Sequence, residues 1–124
     1  MANPNLLAAT TASGTTTYNT PGTTAATVLL ANAVSSGQVY KINQIVCANV
    51  NGTSAVNATV SINTLAAGTG TSYPVISTIA VPASASVIAV DKTTAIYLME
   101  DKSIVVTSGT ASGITYTISY EVIS

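Results

Sequence analysis

Hydrophobic and polar residues alternate along most of this chain with a period of two. The clearest stretch is the last: Ile114, Tyr116, Ile118, Tyr120 and Val122 share one side, and Thr115, Thr117, Ser119 and Glu121 the other. Val56–Leu65 repeats the pattern, with Val56, Ala58, Val60 and Ile62 set against Asn57, Thr59, Ser61 and Asn63. Successive side chains of a strand point to opposite faces, so this period predicts strands with one buried and one wet face. Apolar residues do not recur at three-and-four spacing, and β-branched residues dominate each candidate element. No helix is predicted.

Clusters of Gly, Pro, Asn and Ser cut the chain into short pieces, among them the tight-turn signal Asn51-Gly52 and the loop Ala66–Thr71. Between them the pattern predicts strands at Thr15–Asn19, Ala26–Asn32, Val39–Asn49, Val56–Leu65, Tyr73–Val81, Ser86–Asp91, Ile96–Met99, Ser103–Thr107 and Ile114–Val122. About eight antiparallel strands at this spacing point to an all-β, single-domain β-sandwich, jelly-roll-like in topology. Its core must come from Val, Ile, Leu and Tyr, because the chain has no Phe and no Trp. Residues 1–14 read as an extended N-terminal arm: Pro4 blocks regular pairing, and Leu6 and Leu7 are the bulky apolar residues there. Residues 15–124 form the domain.

Charge changes the picture more than hydropathy does. Charged residues make up 6% of the chain, against about 25% in an ordinary soluble protein. Three lysines and four carboxylates carry all of it, so Thr, Ser and Asn must supply the polar surface. Hydroxyls can be desolvated across a contact without the cost of burying a charge, which suits a protein packed against neighbours. With no arginine and no basic stripe, direct nucleic-acid binding is not expected. The N-terminus lacks a basic, apolar leader, and no run reaches the about 20 apolar residues of a spanning helix, so neither export nor membrane insertion is expected. Two Asn-x-Thr triplets, at Asn51 and Asn57, are no more than so Asn/Thr-rich a chain produces by chance.

The chemistry-bearing residues are few. The chain has no histidine, which removes the commonest general base and metal ligand and every Ser–His or Cys–His nucleophile. The single cysteine, Cys47, lies in the apolar run Ile45–Ala48 and reads as a small core residue. Glu100-Asp101-Lys102 and Asp91-Lys92 read as polar turns rather than a calcium or glycosidase pair. Tyr40, Tyr116 and Tyr120 fall on inward faces, whereas Tyr18 and Tyr73 sit near loops. No catalytic residue, metal ligand or cofactor is expected, and the chain is read as a non-enzyme. The candidate interface residues are Leu6, Leu7, Tyr18 and Tyr73.

Five segments together resemble a known family: Val39–Val50 followed by Asn51-Gly52-Thr53-Ser54-Ala55, Ile79–Ser86, Asp91–Leu98, Glu100–Ile104 and Ile118–Ser124. They are similar to small virion structural proteins of tailed phages, particularly cyanophages. The resemblance implies a capsid decoration or cement protein that bridges neighbouring shell subunits, assembled into the virion in the host cytoplasm. It implies self-association, with a homotrimer as one form, and contact with the major capsid protein, the arm docking Leu6 and Leu7 onto a neighbour. Two alternatives stay open: a neck, tail or fibre-associated virion component, and a host-glycan-binding β module using Tyr18 or Tyr73.

Overall fold

A computed structural model of the protein describes residues 4–124. Nine strands fill it: β1 (Ala12–Asn19), β2 (Thr27–Asn32), β3 (Val39–Asn49), β4 (Val56–Asn63), β5 (Ser72–Val81), β6 (Ser86–Val90), β7 (Ile96–Leu98), β8 (Lys102–Ser108) and β9 (Ile114–Ile123). They form two antiparallel sheets, one in the order β1-β9-β3-β6 with β7 also on β3, the other β2-β8-β4-β5. β6 and β7 pair with successive parts of β3, Ile45–Ala48 and Tyr40–Ile42, and a 3-10 turn at Lys92–Thr94 separates them. They are one interrupted strand. Counted so, the orders become 1-8-3-6 and 2-7-4-5, with the chain crossing repeatedly between sheets, which is the jelly-roll double Greek key. The all-β sandwich expected from the period-two pattern is the fold.

Both sheets contribute to one core. Ile42, Ile45, Ile114, Tyr116 and Ile118 come from the first sheet, and Ala58, Val60, Ile104 and Val106 from the second, all fully buried. β9 follows its pattern: Ile114, Tyr116, Ile118 and Tyr120 are inside, and Tyr40 stacks on Tyr120 with ring centroids 5.2 Å apart. Burial of each large aliphatic side chain stabilises by about 1.5–3 kcal/mol, and many such contacts offset the chain entropy lost on folding.

Three expectations are corrected. The alternation read across Val56–Ile62 holds, with Val56, Ala58, Val60 and Ile62 on the core side, but the other side is not wet at its end: Ser61 and Asn63 are buried there beneath the loop that follows β4. The extra residues of the β4–β5 ladder lie in β5, and β4 keeps one register with β8, so no side chain of β4 is flipped; a loop folded over a sheet covers polar positions that the linear pattern marks as wet. The arm is shorter than residues 1–14. Met1–Asn3 lie outside the described residues, Leu6–Ala8 form a 3-10 turn, and β1 begins at Ala12. Ala12, Ser13 and Gly14 pair with Ile123, Val122 and Glu121 through the backbone, which needs no apolar side chain. Short 3-10 turns at Leu6–Ala8 and Lys92–Thr94 interrupt a chain in which no helix was expected.

Candidate functional site

The segment before β1 crosses the first sheet. Asn5 caps its turn by accepting from the Leu7 amide at 3.0 Å, and the Thr10 and Thr11 amides donate to the Ser124 carbonyl at 2.9 and 3.1 Å. Leu6 is 47% exposed and Leu7 98%. Leu6 lines a hollow of about 480 Å³ with Thr10, Lys41, Tyr97, Glu121 and Ile123, and an apolar cleft of about 300 Å³ with Pro4, Val39, Tyr97 and Met99. The two leucines therefore separate: Leu6 rests on its own sheet and Leu7 stands in solvent. Tyr97 and Met99, which complete this apolar seat, were missed because the short strand carrying Tyr97 shows no alternation of its own. Lys41 and Glu121 face each other at 4.0 Å on the surface, a pair of small energetic weight.

Tyr18 and Tyr73 do not share a site. Tyr18 lies on β1, an edge of the first sheet, and Tyr73 on β5, an edge of the second. β1 packs near β2 and β5 near β6, so the two tyrosines stand at opposite margins of the sandwich, 74% and 62% exposed. No common sugar-stacking platform forms from them. Tyr73 has apolar company on β5 in Val75 and Ile79, whereas the neighbours of Tyr18 on β1 are Thr and Gly.

The buried polar groups serve the loops. β2, β3 and β4 each end on an asparagine, Asn32, Asn49 and Asn63, almost wholly buried. Asn32 donates to the Gln38 and Leu98 carbonyls at 3.0 Å and accepts from Ser36 Oγ at 2.6 Å. Asn49 donates to the Ser54 and Val81 carbonyls at 2.9 Å and accepts from the Asn51 amide at 2.8 Å. Asn63 donates to the carbonyls of Gly68 and Gly70 and accepts from the amides of Leu65 and Gly70, both at 3.0 Å. Each side chain meets main-chain groups that would otherwise go unsatisfied where a strand stops. Held this way, the loop after β4 lies on the second sheet, with Gly68 at φ 77 against Val28 and Val105. The repeated asparagine at the end of consecutive strands was the available signal, and for Asn63 the alternation of Val56–Leu65 assigns the position to solvent.

What remains is chemically quiet. Burial pushes the Cys47 thiol up to about 12, so it is a protonated core group and not a nucleophile. Burial also raises the Tyr116 phenol, whose hydroxyl donates to the Thr107 carbonyl at 2.7 Å. Hydrogen bonds from the Thr93 side chain and backbone, then from Thr94, hold the Asp91 carboxyl below the usual range; it caps the 3-10 turn. Asp101, at φ 56, accepts from the Ala66 amide at 3.1 Å. Among the described residues no three His, Cys, Asp or Glu side chains gather as a metal site, and no helix is long and apolar enough to cross a membrane.

No family model matches this chain, and no curated protein does. Among solved structures it is similar to the protein of Bacillus endospore appendages, described as a novel family of disulfide-linked pili. The two share 17% identity, the likeness covers 99% of this chain and 95% of that one, and the TM-score is 0.52. At that identity the likeness is one of fold, and it extends over the whole sandwich.

Proposed function

We propose that this chain is a non-enzymatic structural subunit, present in many copies and working through contact with its neighbours. One observation carries this reading. The sandwich surface is nearly uncharged: β1, β2, β4, β5, β6 and β7 contain no Asp, Glu, Lys or Arg, and β5 adds exposed Tyr73, Val75 and Ile79. A free monomer keeps charge on its surface to stay dispersed. A surface of hydroxyls and amides desolvates cheaply against another subunit instead.

The assembly we favour is a phage particle, on the resemblance of the strand-and-turn segments, with the sandwich decorating the seams between shell subunits. Quantifying the chain in purified particles tests this. Copy numbers comparable to the major shell protein support decoration, while a few copies place it in the neck or tail. Its absence from particles removes the virion reading.

A filament is the second reading, favoured by the fold-level likeness to a pilus protein. A filament of this chain would be joined without inter-subunit disulfides, because its one cysteine is fully buried. Electron microscopy of the purified protein would reveal ordered fibres, persisting in reducing agent, if this second reading holds.

A further inference from the structure

The two sheets have four edges, and three are blunted. β2 is six residues long with a register shift between Val28 and Leu30. β5 carries Pro74, a left-handed residue at Thr78 (φ 52) and two register shifts against β4. The β6–β7 edge is broken by the Lys92–Thr94 turn with its charged Asp91 and Lys92. Such features are the usual devices that keep a sheet from pairing with another chain. β1 has none of them. Its eight residues pair with β9 in one unbroken register, without proline, charge or bulge.

The backbone direction of β1 follows from its first bonds. Thr11 and Ser124 exchange hydrogen bonds, Thr11 N donating to Ser124 O at 3.1 Å and Ser124 N to Thr11 O at 3.1 Å. Antiparallel ladders alternate. Ser13, Thr15, Thr17 and Asn19 therefore bond to β9, and Ala12, Gly14, Thr16 and Tyr18 turn their N–H and C=O groups to the open edge.

We infer that β1 pairs antiparallel with β1 of a second copy, about a two-fold axis at Thr15, joining the first sheets of two sandwiches into one. This rests on the reading of the chain as an assembly subunit and names the contact. The second copy is the fitting partner for three reasons. The blunted edges of the same molecule offer no regular ladder. A strand without charge meets its own copy without repulsion. In this register Gly14 faces Thr16 and Ala12 faces Tyr18, so the exposed Tyr18 ring lies over the partner's Ala12 and Gly14, where side chains are smallest. An isologous contact of this kind makes pairs, and does not by itself close the trimer expected from the resemblance.

Analytical ultracentrifugation of the full chain tests it. The Thr16 amide points outward, so Thr16→Pro leaves the β9 ladder whole and should raise the dissociation constant of the pair about tenfold or more. Thr15→Lys and Thr15→Glu set like charges face to face, and each should weaken self-association, whereas their mixture should restore it. Thr16→Pro pairing like the wild type, or a mixture no stronger than either variant, overturns the β1 contact while leaving the assembly reading in place. A wild-type chain that stays monomeric at every concentration and is missing from particles and fibres removes the assembly reading itself.

Discussion

β1 and β5 are both edge strands, both largely exposed, and built on opposite plans. β5 shows solvent large apolar side chains, Tyr73, Val75 and Ile79, on a backbone broken by Pro74, Thr78 and two register shifts. β1 shows mostly small polar side chains on a regular backbone. The adhesive part of β5 is its side chains, and that of β1 is its main chain. An edge can thus be made safe against indiscriminate pairing by disrupting its ladder even where it stays greasy. A bland edge can remain a specific template.

The comparison breaks first if the loop leading into β5 is released. Asn63→Ala strands the Leu65 and Gly70 amides, which Asn63 Oδ1 now satisfies, and should cost about 3–4 kcal/mol. Urea unfolding measures the loss, and hydrogen exchange should quicken in β4 and β5 while β1 keeps its protection.

Proline along β1 sharpens the other half. Thr17→Pro removes an amide bonded to β9 and should destabilise by about 3 kcal/mol, whereas Thr16→Pro should cost under about 1 kcal/mol. Equal losses would refute the outward direction assigned to Thr16. Gly68→Ala is intermediate. A Cβ there would come within 2.6 Å of Val28 Cγ2 at a φ of 77, and a thermal melt should register a loss of about 2 kcal/mol.

The smallest effect concerns the break between β6 and β7. The Asp91 carboxyl is held low by its bonds to Thr93 and Thr94. A depressed carboxyl contributes stability above its unfolded pKa and loses it as pH falls through the folded one, so the cap should fray only in strong acid. The Thr93 and Thr94 amide shifts in an NMR titration report it. Movement near neutral pH would contradict the assignment.

Much of the fold was legible because period two records which side of a pleat is wet. Ile114–Val122 carried that record intact and Val56–Ile62 carried it on the core side, and the sandwich followed from several such segments between turn signals. β1 was half-missed because an edge strand held by main-chain bonds on one side leaves little apolar trace at Ala12–Gly14. Of the candidate interface residues, Tyr18 and Tyr73 were legible as exposed, but not their placement on opposite edges. Leu6 and Leu7 were read together, and the turn at Leu6–Ala8 sends them apart.

The sequence by itself determined the all-β class, the aromatic-poor core and a surface nearly without charge, because composition and local alternation set what a chain can bury. Tertiary structure alone decided that Ser61 and Asn63 are covered by the loop after β4, that asparagines close three strand ends, and that β1 is left as an unblunted edge. Those outcomes depend on which strand lies beside which, on where a ladder slips by a residue and on which loop folds back over a sheet, all settled by long-range contacts that no local pattern encodes.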